Sequence, residues 1–389
     1  MLDVAVIGGG IVGASVAYRL VRQGVRVAVI DRHDVGQASA AGAGILPPLD
    51  HFIGLEAMLP LLREARRFYP ELLAALAEDG ETEAGYAVVG ALQVATSEAD
   101  AERLVELRRE CEAQRALGML HIGELTELEG ALARRYFPLL GGGVLRALHA
   151  SGAARIDGRR LLSALRRALE RRGARWTEAS AEPEIESGRV VGVRTPAGVW
   201  PADAVVIASG AWSSGVAERA GLYVPVRPQR GQLVHLELAG TDTSSWPIVL
   251  GFGTNYLLSF APNRIVAGAT RENGSGYAAV NTAGGLHGVL EQALQLAPGL
   301  ARARLLEARV GLRPVSADGM PILGASPVLP NLYVATGHGG YGLELGPYSG
   351  ALVADVILRR STPVDIGPFA PTRFVRTGCG GHELTACPS

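Results

Sequence analysis

Leu2-Asp3-Val4-Ala5-Val6-Ile7-Gly8-Gly9-Gly10-Ile11-Val12-Gly13-Ala14-Ser15-Val16-Ala17, followed by Val25-Arg26-Val27-Ala28-Val29-Ile30-Asp31, decides the fold class of this chain. Residues 2–7 are a short apolar run that suits a strand buried on both faces. Three glycines then turn the chain into a helix over 11–23, which Gly24 closes, and 25–30 is a second β-branched run. Strand, glycine turn, helix and strand in thirty residues form a parallel β-α-β unit, since parallel strands need a crossover.

Within that unit the pattern Gly8-x-Gly10-x-x-Gly13 has a physical role at each position. Gly8 permits the tight turn, Gly10 lets backbone approach a pyrophosphate, and Gly13 lets helix and strand pack closely. The helix N-terminus offers free N–H groups and a partial positive charge to phosphates. Asp31 stands where an acid can accept hydrogen bonds from ribose hydroxyls, and its charge disfavours a 2′-phosphate such as that of NADP. These residues predict a dinucleotide site and by themselves leave FAD and NAD open.

The 389 residues allow about two domains. With 48% hydrophobic and 19% charged residues the chain reads as globular. A net charge of −1 gives no electrostatic case for nucleic acid or an anionic membrane as partner. All 37 basic residues are arginine, which excludes Schiff-base, lysine-held pyridoxal phosphate and P-loop lysine chemistry. Cys111, Cys379 and Cys387 are too few and scattered for a disulfide framework. The fold signal begins at Leu2, leaving no room for a signal peptide, and no apolar run reaches the ~20 residues of a transmembrane helix. A cytoplasmic location is the expectation.

Further along, 37–44 is a run of small residues, and Leu61 to Leu76 repeats with helical period. Residues 85–95 have strand texture, and a polar helix over 98–117 carries Cys111 on its apolar side, as a core residue rather than a reactive thiol. Asp157 is a natural N-cap for a helix with Leu161, Leu162, Leu165 and Leu169 as its buried stripe. Residues 204–208 and 331–335 read as further strands, 226–269 as an antiparallel sheet, and 346–359 as the last helix, with Pro347 near its first turn. β-α segments therefore alternate with antiparallel material. The expected fold is α/β: a discontinuous Rossmann-type domain (1–84, 145–222, 305–370) with an inserted antiparallel-sheet substrate domain (85–144, 223–304). Residues 371–389 lose periodicity and read as a mobile tail. Cys379, His382 and Cys387 there lack metal-site spacing, so no metal is expected.

Gly311-Leu312-Arg313-Pro314, then Asp318-Gly319-x-Pro321-Ile322-x-Gly324, then Asn331 through Gly339, together with Val206 through Trp212 and the Ser39 to Leu46 run, resemble the D-amino acid oxidase family of flavoproteins. Within it the chain looks most like bacterial glycine oxidases and D-amino acid dehydrogenases. The resemblance spans about residues 2–370. It implies non-covalent FAD held by Gly8, Gly10, Ile11, Val12, Gly13, Asp31, Arg32, Ser39, Ala40, Ala41, Gly44, Ile45, Ser209, Gly210, Trp212, Arg313 and the loop Gly337-His338-Gly339-Gly340-Tyr341-Gly342. It also implies hydride transfer from an amine-bearing carbon to flavin N5.

For the chemistry the resemblance implies Arg313 against the substrate carboxylate, Tyr256 with its hydroxyl at the substrate, and His338 beside the flavin. A guanidinium matches a carboxylate bidentately, which agrees with the role of Arg313. The helix after His338 aims its positive end at its loop, where a reduced flavin is the natural occupant. Sarcosine oxidases of the family attach flavin through a cysteine near the position of Gly311 and use a lysine, and this chain has neither. Some glycine oxidases carry an arginine where Gly340 stands here. The implied partners are a small amino-acid or amine substrate and oxygen or a quinone-type acceptor, the latter with peripheral attachment to the inner face of the membrane; a homo-oligomer stays open. Two other readings remain at this point, an FAD-dependent 2-hydroxy acid dehydrogenase and a non-catalytic FAD-binding subunit.

Overall fold

The computed structural model describes residues 2–47 and 56–375. The opening unit forms as its sequence dictates: strand Leu2–Ile7, helix Ile11–Val21 and strand Val27–Asp31. Leu2–Ile7 lies between Val27–Asp31 and Gly198–Ile207, parallel to both, with Val6 opposite Val29 and Val206. Arg175–Glu178 adds beyond the second strand and Leu332–Thr336 beyond Gly198–Ile207, both parallel. The central strands Leu2–Ile7 and Val27–Asp31 and the end of Gly198–Ile207 are nearly continuous apolar runs because both their faces are covered, whereas the edge strand Arg175–Glu178 is polar and partly exposed. Val4, Val6, Val27, Val29 and Val206 face a core shared with the helices, while Ala5, Ile7, Ala28, Ile30 and Ile207 face a second core on the other side.

The second large sheet runs in the spatial order Arg304–Ser316, Val226–Glu237, Arg264–Gly268, Tyr256–Phe260, Ile248–Leu250, Ala91–Ala95, Arg146–Ala150, Leu125–Glu129. Its pairs are antiparallel except where Ile248–Leu250 meets Ala91–Ala95. This sheet differs from the expected segment boundaries. Arg304–Ser316 pairs with Val226–Glu237 along its length, and Arg146–Ala150 pairs with Ala91–Ala95, so both strands lie in the antiparallel sheet although 305 and 145 read as starts of nucleotide-binding segments. Their partners are far away in sequence, and local texture carries no information about which sheet a strand joins.

Helix Gly158–Arg171 starts at Asp157, whose carboxylate accepts from the N–H groups of Arg159 and Arg160. The last helix, Gly342–Ile357, begins a turn earlier than its sequence suggests, with Pro347 inside it. Proline has no N–H for the carbonyl four residues before it, here Leu343. The hydroxyl of buried Tyr69, from helix Met58–Glu78, donates to that carbonyl and supplies the missing bond. The small-residue run also gains structure, as the short helix Ala38–Ala41. Residues 371–375, expected to begin a mobile tail, instead hold the turn Pro371–Phe374, where Arg373 Nε donates to Asp318 at 2.6 Å. Cys379, His382 and Cys387 lie outside the described residues. Cys111 is buried as expected, and burial pushes its thiol up to about 12.

Candidate active site

A cavity of about 790 Å³ runs from the first glycine turn to the face of the antiparallel sheet, within the ~300–1,000 Å³ range of ligand pockets. At one end stand Gly8, Gly10, Ile11, Val12, Asp31 and Arg32, and Ser39 beside them accepts from the Ile11 N–H at 2.9 Å. Gly8 has φ +111°, and a Cβ there would sit 2.4 Å from the Ala208 carbonyl oxygen. A Cβ at Gly13 would come within 2.0 Å of the Gly8 oxygen. Only glycine therefore permits this turn and this helix–strand approach. At Gly10 a Cβ would meet just the Ser39 hydroxyl, at 3.3 Å, so this position faces open space.

Asp31 lines the cavity, and its carboxylate is also built into the turn. It accepts from the Gly9 N–H, from the His33 N–H at 2.6 Å and from Gln37 Nε2 at 2.7 Å. The Gly8 turn, the second strand and the 37–44 run are thus tied together by one acid.

The sheet end carries the reactive-looking groups. Arg313 is opposite Gln229, and Gly311 is opposite Gly231, so the four share one face by strand alternation. The Arg313 guanidinium lies diagonally over Gly231: a Cβ there would be 2.5 Å from its Cζ and both terminal nitrogens. Nη1 donates to the Thr270 carbonyl at 3.0 Å and contacts Gln229 Oε1 at 3.5 Å. Among the described residues Arg313 has no carboxylate in ion-pair contact, although Glu272 is nearby. The carboxylate of Glu272 takes Arg230 at 2.5 Å, Gln232 at 2.6 Å and Thr270 at 2.6 Å instead. Desolvation lowers the pKa of Arg313, but a guanidinium stays charged.

Tyr256 repeats the device. It is opposite Gly268, whose absent side chain leaves room for the ring. Its hydroxyl is pushed up to about 12, chiefly by desolvation. It is therefore a neutral phenol at physiological pH.

His338, 2% exposed, completes the wall where Leu332–Thr336 ends and the last helix begins. Neither ring nitrogen has a hydrogen-bond partner among the described residues. Burial lowers its pKa to about 4, so the imidazole is neutral.

The structure brings most of the expected residues to one cavity. Gly44, Ile45, Ala41, Ser209, Gly210, Trp212, Gly339, Gly340, Tyr341 and Gly342 line it with those above. Gly13, Ala40 and Gly337 do not. Gly13 serves packing, and the Ala40 carbonyl accepts from Arg159 at 3.1 Å. Sequence reading missed Gln229, Asn255, Arg271 and Tyr277, which also line the cavity. The Tyr277 ring stacks on Trp212 at 5.8 Å. Strand pairing across 84 positions brings Gln229 to Arg313, a signal that no local motif carries.

Residues 3–356 match the family model DAO, FAD dependent oxidoreductase. Similar proteins include the uncharacterized oxidoreductase YurR of Bacillus subtilis (strain 168), 40% identical over 95% of this chain and 99% of its own length. A glycine oxidase of Geobacillus kaustophilus (strain HTA426) is 33% identical over 96% and 97%. Among solved structures, iminodiacetate oxidase IdaA from Chelativorans sp. BNC1 superposes with a TM-score of 0.89 at 37% identity, covering 95% of this chain and 99% of that one. With the glycine turn, the discontinuous parallel sheet and the family match in hand, the chain belongs to the DAO family of FAD-dependent oxidoreductases, with non-covalent FAD as its cofactor.

Proposed function

We propose that the protein oxidises the C–N bond of a small amino acid, with Arg313 holding the substrate carboxylate. The observation that carries this reading is Arg313 itself: a guanidinium on the cavity wall, laid over Gly231 and paired with neutral oxygens rather than a carboxylate. A charge kept in a sheltered site without a counterion suits a ligand that brings one.

The residues fit FAD. The Gly8 turn leaves backbone open to a pyrophosphate, small residues of the 38–44 run line the cavity, and His338 lines it with two ring nitrogens that have no hydrogen-bond partner among the described residues. When bound, FAD supplies the acceptor, taking a hydride at N5. The protein's own residues position the amine. Arg313 fixes one end, and the neutral Tyr256 hydroxyl donates to or accepts from the same substrate. Holding the α-carbon at the ring contributes much of the acceleration. The amine must be neutral; as Cα–H leaves with its electron pair, the nitrogen lone pair forms C=N. Water then adds to the imine, and the carbon–nitrogen bond breaks to give a carbonyl compound and an amine or ammonia. Bound FAD would be reoxidised by oxygen in an oxidase or by a quinone-type acceptor in a dehydrogenase.

The test is anaerobic mixing of the yellow protein with glycine, sarcosine, D-amino acids and 2-hydroxy acids. Bleaching by an amine is expected, and recovery on admitting air distinguishes the acceptors. Arg313→Ala should lower kcat/KM by about two to three powers of ten while retaining flavin, because truncation strips the partner from a sheltered carboxylate, worth ~3–5 kcal/mol. Near-normal kinetics in that folded, yellow variant, or bleaching by 2-hydroxy acids alone, would overturn the proposal.

A further inference from the structure

A second arginine shares the substrate end of the cavity. Arg271 lines it and lies on the exposed side of its mouth. Its neighbours in sequence are turned away. Thr270 Oγ1 donates to Glu272 at 2.6 Å, and Gln232, which hydrogen-bonds Glu272 and Thr282, faces the helix Ala283–Leu296 side of the sheet. The backbone of Glu272 pairs with Arg230 in an antiparallel bridge. Alternation along this extended segment then places Arg271 on the opposite face, that of Gly231 and Arg313. The segment also fixes the spacing, because Arg313 donates to the carbonyl of Thr270, the residue just before Arg271.

Arg271 has no ion pair or hydrogen bond among the described residues, and the carboxylate nearest in sequence, Glu272, is engaged by Arg230, Gln232 and Thr270. Arg271, Arg313 and Tyr256 line the same cavity, so the two guanidinium groups border one space. Two like charges at one site repel unless an anion relieves them. A single amino-acid carboxylate relieves one of them.

We infer that the preferred substrate is an amine bearing two carboxylates, the first on Arg313 and the second on Arg271. This rests on the assignment of Arg313 to the carboxylate next to the oxidised carbon. The second carboxylate reaches the mouth either through the nitrogen, as in an N-carboxymethyl amino acid, or through the side chain, as in an acidic D-amino acid. Arg271 sets specificity and does not touch the reacting bond.

Two measurements test it on the holoenzyme. In the first, glutarate and butyrate, neither of which can be oxidised as an amine, are titrated against the visible flavin spectrum. Glutarate should bind about tenfold more tightly, and Arg271→Gln should remove that advantage while Arg271→Lys restores part of it. Tenfold corresponds to about 1.4 kcal/mol, slightly below the range of a hydrogen bond to a charged group because the site is exposed. In the second, kcat/KM is compared for iminodiacetate, D-aspartate and D-glutamate against glycine, sarcosine and D-alanine. The dicarboxylate-to-monocarboxylate ratio should exceed ten and fall about tenfold in Arg271→Gln, mainly through KM; the better of the N-linked and side-chain arms identifies the route.

Equal binding of glutarate and butyrate, or a ratio unchanged by Arg271→Gln, overturns the inference even if monocarboxylate amines bleach the flavin. Glutarate selectivity lost in Arg271→Gln, with no amine bleaching the flavin, would support the two-arginine site and refute the amine oxidation instead.

Discussion

Gly231→Ala places a single methyl group where the Arg313 guanidinium lies. The new Cβ would stand 2.5 Å from Cζ, Nη1 and Nη2. Ordinary contact requires ~3.5–4.0 Å, so the guanidinium must retreat by about 1–1.5 Å. The strand itself has little reason to move: Gly231 pairs with Gly311 in regular register, and the atoms in the way belong to the end of a flexible side chain. Folding and flavin content should therefore be close to the parent's. The substrate carboxylate is displaced with its arginine, and a misplacement of about 1 Å costs on the order of 10²-fold in rate. Steady-state kcat/KM on the best amine substrate, with flavin absorbance and a thermal melt as controls, reads this directly. A fall of about a hundredfold is expected, approaching that of Arg313→Ala. If Gly231→Ala keeps kcat/KM within about threefold while Arg313→Ala loses it, the guanidinium does not work from the position over Gly231, and the geometric argument fails.

Other outcomes follow from the same structure. Tyr69→Phe removes the donor to the Leu343 carbonyl, which Pro347 cannot replace, so urea denaturation should show a loss of ~1–3 kcal/mol; no change would mean that the helix satisfies this carbonyl in another way. His121 and His235 are lowered to about 3 and His338 to about 4, all by burial first. Their folded pKa values lie below the unfolded ~6.5, so the unfolded chain binds more protons between about pH 6.5 and 4. Their contribution is complete above pH 6.5 and is lost as the pH falls through that window. Near pH 5 the slope from three groups is up to about 4 kcal/mol per pH unit. Denaturation midpoints should drop steeply from pH 7 to 5, less so in His338→Gln, and a flat profile would refute burial of neutral imidazoles.

The legible part of the site was the part built from neighbours in sequence. Gly8, Gly10, Gly13 and Asp31 announce themselves because a tight turn, a close backbone approach and an acid at the end of the next strand are all local demands. Arg313 and His338 were visible through the family pattern. Arg271 had no such pattern, and its role depends on which face of an extended segment it occupies. Sequence pattern puts the start of the last helix a turn late because Pro347 reads as a start signal, whereas Tyr69, nearly three hundred positions away, donates to the carbonyl that Pro347 leaves without a partner.

The β-α-β unit, the continuous apolar runs of its strands and the presence of a dinucleotide end are readable from the amino-acid order alone, since these rest on backbone sterics and periodicity within a few residues. Long-range packing is what brings Arg304–Ser316 into the antiparallel sheet, sets Gly231 and Gly268 where they make room for Arg313 and Tyr256, and puts Arg271 on the same cavity. Sheet register is a long-range choice among many apolar strands of similar texture, settled by packing over the whole fold rather than by any one segment.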